Sequence, residues 1–356
     1  MTGSTNSGFI AARIYGMRSQ LLTREDYESL LSATSLDSLI TSLRGIESYK
    51  SPIETHLLLE DPLRAIDDSI NDVLSAKMKK ILGFCGGSYE QAFKVLGLRW
   101  EVSNIHLAVR SVIEETEFPI NFIPLGTLER DELEFLTSFT NLPEVLAYLE
   151  STLNPFALPL RQIVDENVAP TNLNAIDGVF NRFYQSLLTK GIAKIPDGEI
   201  RSIMREMVRE EREFQNITSI LNLMGKLARG TLPSTVDLKG VIFSGKSHIQ
   251  PEEVEDLIRN KDLGGLREIL ARSSFRERLA TSAVDMVATT GIQSLVEEIE
   301  HLFYLNQIRK RYRRHVFNLA LGYFWQMSVE ARNLRIITHG IESFSREEIR
   351  RRIINA

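Results

Sequence analysis

The feature that most constrains this 356-residue chain is that it repeats one pattern three times. Tyr27, Leu133 and Val254 serve as equivalent anchors. Apolar residues follow each at the same offsets: Leu30, Leu136 and Leu257; Leu36, Leu142 and Leu263; Leu39, Val145 and Leu266; Leu43, Leu149 and Leu270. Leu22, Leu128 and Ile249 stand five residues before the anchors. A period of this kind fixes the architecture before any local propensity is weighed, because each copy must adopt the same supersecondary unit.

Polar positions recur as well. An acidic pair precedes every anchor, Glu25-Asp26, Asp131-Glu132 and Glu252-Glu253. Carboxylates there stabilise the first turn of a helix, near the positive end of its dipole. Pro251 falls where the first helical residue of the third copy would stand. Ser35, Asn141 and Asp262, eight residues after the anchors, are suited to cap a second helix. Each copy therefore opens as helix, turn, helix. Later in each copy comes Glu-x-x-Asn followed by Ile or Leu, a pattern that occurs nowhere else in the chain: Glu101 with Asn104, Glu213 with Asn216, and Glu330 with Asn333. The asparagines lie 77, 83 and 79 residues after the anchors. Ile66, Ile176 and Leu295 precede them by 38, 40 and 38.

Apolar residues at three- and four-residue spacing predict an all-α chain, with only short pieces such as Val241–Phe243 extended. Three helical units are expected, over residues 1–117, 118–235 and 236–356. The breaks lie at Pro119–Gly126 and at Gly230–Gly245, the latter holding Pro233. These linkers are too short to let the units drift apart.

At 43% apolar residues the chain can bury a large core. A net charge of −5 argues against a general nucleic-acid binder, which needs a clustered basic excess. The single cysteine, Cys85, permits no internal disulfide and fits a reducing compartment. No signal peptide and no apolar window long enough to span a bilayer are expected; the richest stretch, Val316–Met327, is interrupted by Asn318 and Gln326.

Glutamate and asparagine three apart share a helix face. One reading of Glu101, Asn104, Glu213, Asn216, Glu330 and Asn333 is a threefold ligand or metal site. The other is that each pair bonds exposed backbone of neighbouring segments, since buried amides need partners. The second is favoured, because no histidine or cysteine recurs alongside and the pairs lie in separate copies. None of the six histidines has metal-ligand spacing. Gly86-Gly87 lacks the Lys and Ser/Thr of a phosphate loop and reads as a helix break. No catalytic residue, cofactor or metal is expected. A basic run, Arg309, Lys310, Arg311, Arg313 and Arg314, reads as a solvated face or as a contact for an acidic partner or lipid headgroups.

The segment Ala11–Leu22, the Glu25-Asp26-Tyr27 helix start and the late Glu330–Ile337 resemble the C subunits of archaeal-type (A-type/V-type) rotary ATPases, which are related to the d subunit of the vacuolar ATPase. The resemblance covers essentially the whole chain. It implies three similar helical domains in a pseudo-threefold, funnel-shaped body. It further implies a non-catalytic central-stalk component between the shaft of D and F subunits and the membrane proteolipid ring. Such a component sits peripherally on the cytoplasmic face and couples ATP chemistry to H+ or Na+ transport. The alternative is a helical-repeat scaffold for protein–protein contact, although a repeat near 110 residues exceeds the usual solenoid unit of about 20–45. An enzyme would require the three glutamates to converge on one pocket.

Overall fold

The computed structural model describes residues 7–58, 61–114, 122–166, 173–228, 242, 249–260, 262–273 and 292–354. Among them regular structure is entirely helical. The expected unit boundaries at 117/118 and 235/236, and Val241 and Phe243 of the expected extended piece, lie outside the described residues.

Helix α1 (Ser7–Arg18) precedes a run of three short helices and two long ones: α2 (Arg24–Ser32), α3 (Leu36–Arg44), α4 (Glu47–His56), α5 (Pro62–Phe84) and α6 (Gly87–Glu114). The same order returns in α7 (Arg130–Thr137), α8 (Leu142–Ser151), α9 (Ala157–Asp165), α10 (Leu173–Ala193) and α11 (Gly198–Ala228). A third run begins with α12 (Pro251–Arg259) and α13 (Leu263–Ala271). It continues with two long helices, α14 (Ile292–Arg309) and α15 (Val316–Gly340), and ends in α16 (Arg346–Arg352).

Local chemistry sets the starts. Thr23 and Asp26 form a reciprocal capping box at α2, with the Thr23 N–H donating to Asp26 at 2.7 Å and the Asp26 N–H to Thr23 Oγ1 at 3.1 Å. Glu132 reaches back to the Glu129 N–H at 2.9 Å and does the same for α7. Ser35, Asn141 and Asp262 each accept an N–H three residues on, at 3.2, 3.0 and 2.9 Å, and so cap α3, α8 and α13. Pro251 opens α12, where a missing N–H costs nothing. Between α5 and α6 the chain breaks at Cys85-Gly86, and Gly87 has φ 56°.

The long helices pack in a cyclic order. Helix α6 lies against α10, α11 against α14, and α15 against α5. Each time the second long helix of one run meets the first long helix of the next, and the last contact returns to the first run. Helix α1 also packs on α15, burying Ile10, Ile14 and Met17. The turns that lead into α6, α11 and α15 meet at one end. Ser88 Oγ accepts the Asp197 N–H at 3.1 Å, and Tyr89 stacks on His315 with centroids 6.4 Å apart.

Aromatic rings fill the seams between runs. Phe214 of α11 stacks on Phe303 of α14 at 4.4 Å, and Trp325 packs edge-on against Phe303, Tyr304 and Phe324. Trp100 of α6 meets Phe324 of α15 at 5.4 Å. Each such ring contributes on the order of 1.5–3 kcal/mol by leaving water.

Gly191 lets α10 approach α6. A Cβ there would stand 2.6 Å from Cγ2 of Val95, a buried and β-branched side chain with little freedom to retreat. Gly191→Leu should therefore destabilise the protein by about 1–3 kcal/mol despite leucine's better helix propensity. Equilibrium urea unfolding of the two proteins measures this; an unchanged midpoint would show that the α6–α10 seam is not close-packed there.

Candidate functional site

Glu101 and Asn104 sit on one face of α6, buried to 8% and 2% exposure. The asparagine amide clamps the peptide groups of Ile123. Its Nδ2 donates to the Ile123 carbonyl at 2.6 Å and its Oδ1 accepts the Ile123 N–H at 3.0 Å. The Glu101 carboxylate accepts the Thr127 N–H at 3.1 Å and the Thr127 hydroxyl as well. Both partners belong to the lead-in to α7. Gly126 in that segment has φ 135°, and a Cβ on it would lie 2.9 Å from the Glu101 side chain. Glycine is required there for both reasons.

In α15, Asn333 clamps Ile354 in the same way, donating to its carbonyl at 2.9 Å and accepting its N–H at 2.9 Å. Glu330 accepts the Leu22 N–H at 2.7 Å, so it holds the lead-in to α2. Leu22 and Leu128 are register equivalents, and Thr127 is the neighbour of the second. The carboxylates of α6 and α15 thus each secure the start of another run. Glu330 additionally accepts Tyr49 Oη at 2.9 Å and pairs with Lys77 Nζ. Burial, with the Glu330 charge beside them, raises the phenol pKa values of Tyr27 and Tyr49. Glu213 and Asn216 lie buried in α11 at 7% and 0% exposure and are engaged in interactions of their own. The motif residues are therefore distributed along three long helices rather than gathered in one pocket.

The basic run does not form one face. Lys310 is buried and donates to Glu210 of α11 at 2.5 Å, and Arg313 pairs with Glu206 at 2.9 Å. Arg311 folds over the Tyr312 ring at 4.7 Å. Arg309 and Arg314 are the exposed remainder. At the chain's end, Arg346 and Arg350 pair with Glu28 of α2. The chain itself supplies the acidic partner for much of this charge.

His315 lies 3.9 Å from Glu199, and three other histidines meet carboxylates at hydrogen-bond distance: His56 with Asp72 at 2.8 Å, His106 with Asp177 at 2.7 Å, and His339 with Asp67 at 2.9 Å. The last two join α6 to α10 and α15 to α5. Asp67 and Asp177 each follow a register-equivalent isoleucine, Ile66 and Ile176, and that repetition was the available signal for them. Lys77, Tyr49 and Thr127 carried no comparable signal. Burial pushes the Cys85 thiol up to about 12, so it holds its proton at neutral pH. No group of three or more His, Cys, Asp or Glu able to hold a metal ion occurs among the described residues.

A cavity of about 610 Å³ opens where α5, α6, α14 and α15 adjoin, lined by Trp100, Tyr304 and Trp325 and by Arg99, Arg332 and Arg335 among others. Arg99 pairs with Glu211 at 3.0 Å and lies over Trp325 at 4.9 Å. Arg332 pairs with Glu300. Arg335 donates to Asn71 Oδ1, and burial lowers its pKa. Its walls combine aromatic faces with arginines held in place, the composition of surfaces that recognise polypeptides.

Two outcomes test these assignments. Glu330→Ala would strand the Lys77 ammonium, the Tyr49 hydroxyl and the Leu22 N–H together, costing about 3–5 kcal/mol. Lys77→Met leaves the carboxylate two donors and should cost roughly half as much. Thermal and urea unfolding rank the two variants, and equal losses would mean that Glu330 acts only as a counter-ion. Asn104→Ala unpairs the Ile123 N–H and leaves the Ile123 carbonyl with the Leu125 N–H alone; it should cost about 1–3 kcal/mol, with faster amide exchange at Ile123 as its signature.

The model of the ATP synthase (C/AC39) subunit family matches residues 10–352. Among similar proteins, the C subunit of the A-type ATP synthase of Pyrococcus horikoshii is 23% identical over 95% of this chain and 87% of its own length. That of Methanosarcina acetivorans is 22% identical over 96% of this chain and 90% of its own. The Halorubrum lacusprofundi counterpart is 21% identical over 99% and 98%. With a family match that spans nearly every described helix, the chain belongs to the ATP synthase (C/AC39) subunit family.

Proposed function

We propose that this chain is a non-catalytic central-stalk subunit of an A/V-type rotary ATPase. It joins a shaft of D- and F-type subunits to a membrane ring of proteolipids and transmits torque between ATP chemistry and the movement of H+ or Na+. The observation that carries the reading, within the family, is the return of the last run onto the first. Glu330 holds the Leu22 N–H across 308 residues of sequence, and α15 lies along α5. Three helical domains, over 1–117, 118–235 and 236–356, would then close into a pseudo-threefold funnel.

Torque requires a body that turns as one piece, and a closed ring of interlocked helices resists shear better than an open stack. An open superhelical scaffold, the second reading, would leave its first and last units apart; the Glu330–Leu22 and Glu28–Arg350 contacts argue against it. A catalytic role finds no support in the dispersed Glu/Asn pairs. No helix among the described residues is long and apolar enough to cross a membrane, which fits a peripheral place on the cytoplasmic face. Contact with the bilayer would come only through the complex, with the exposed Arg309 and Arg314 as candidates to face a partner. No cofactor and no nucleic acid enter this role.

Affinity capture from gently solubilised membranes should bring down proteolipid and shaft subunits with this chain. Removing the chain should leave ATP hydrolysis in the soluble head while abolishing ion pumping by the membrane-bound complex. Fully coupled transport in its absence would overturn the assignment.

A further inference from the structure

The three runs are copies, so a difference confined to one of them points to a task that the others do not share. Phe135 of α7, Phe139 of the turn that follows and Tyr148 of α8 form a compact triad, with centroids 5.0, 5.3 and 5.9 Å apart. Phe135 is 49% exposed. The equivalent residues of the first run are Ser29, Ala33 and Ser42, and those of the third are Asp256, Asn260 and Ile269. The register holds in space, because Ser29 Oγ meets Ser42 Oγ at 3.5 Å where Phe135 meets Tyr148. Two serines and an alanine serve the same helical pair in the first run, so the helix–turn–helix itself does not demand aromatic rings there; Phe139 and Tyr148 lie partly buried beneath the exposed Phe135.

The surroundings are acidic. Residues 129–166 hold eight carboxylates against two arginines. Both arginines are occupied within the chain, Arg130 by Asp68 at 2.7 Å and Arg161 by Glu150 at 2.7 Å. Asp131 and Glu144, both exposed, stand one helical turn before Phe135 and Tyr148 and on the same faces. An aromatic centre with a charged rim is the anatomy of a protein–protein contact.

We infer that the Phe135–Phe139–Tyr148 face of α7 and α8 docks a basic amphipathic helix of a partner polypeptide, its apolar side on the rings and its lysines or arginines on Asp131 and Glu144. Charge selects this occupant. Anionic lipid headgroups and a second copy of the same acidic face would both be repelled. The inference does not depend on the coupling role proposed above, since it uses only the divergence among the copies and the chemistry of this one face.

The test uses the full chain and two labelled helical peptides, one with a leucine face and a lysine face, the other with glutamate in place of lysine. The leucine/lysine peptide should bind, more weakly in high salt, and the leucine/glutamate peptide should not. Phe135→Ser with Tyr148→Ser installs the first run's residues and should weaken binding about tenfold or more, with an unchanged circular dichroism spectrum. Asp131→Asn with Glu144→Gln should weaken binding and flatten its salt dependence. Equal binding of both peptides, or undiminished binding by the Phe135/Tyr148 variant, would overturn the inference. So would capture by phosphatidylglycerol vesicles, or self-association, that disappears in that variant.

Discussion

The structure depends most on the carboxylate of Glu330. It is a buried anion with three donors on it, the Leu22 N–H, the Tyr49 hydroxyl and the Lys77 ammonium. A charge taken out of water is costly unless its oxygens are fully bonded. Here the donors come from the lead-in to α2, from α4 and from α5, so full bonding requires all three to be in place together. The carboxylate is therefore satisfied only in the state where the third run has returned to the first. Such a group adds less to net stability than to the uniqueness of the arrangement, since few alternative packings could supply the same three donors.

The motif pairs of α6 and α15 share a division of labour. Asparagine, with one donor and one acceptor at its tip, matches the N–H and C=O of a single residue, and it does so at Ile123 and at Ile354. Glutamate, an acceptor only, takes N–H groups at a segment that leads into a helix, where donors have no intrahelical partner. The chemistry of each side chain explains why the two recur as a pair and why they stand three residues apart. One helical face must present both to adjoining stretches of irregular backbone.

Much of the fold was legible because it rests on local rules. The capping residues Ser35, Asn141 and Asp262 and the proline at Pro251 act within a few residues of themselves, and the apolar spacing marks most of the described helices. The Glu/Asn pairs were legible as pairs, since helical geometry alone puts them on one face. Their partners were not, because Leu22 and Glu330 lie 308 residues apart and no local pattern links them. The basic run shows the limit from the other side. A sequence displays charge but not burial, and Lys310 proved to be an internal anchor onto Glu210 beside the exposed Arg309 and Arg314. The aromatic triad was present in the sequence as three residues without aromatic equivalents, yet its significance needed the folded register of Ser29 against Ser42.

The return of α15 onto α5 also has a mechanical meaning. The first run is tied to the second, and the second to the third, by the polypeptide itself, whereas the third meets the first without any peptide bond. That junction is a seam. A load that spreads the three runs is borne covalently at two places and only by hydrogen bonds, ion pairs and packed rings at the other. The seam is reinforced by α1, laid across α15, and by Glu28, gripped by Arg346 and Arg350. In the proposed coupling role, the strength of this seam, more than the stability of any single helix, would set how hard the body can be twisted before it opens.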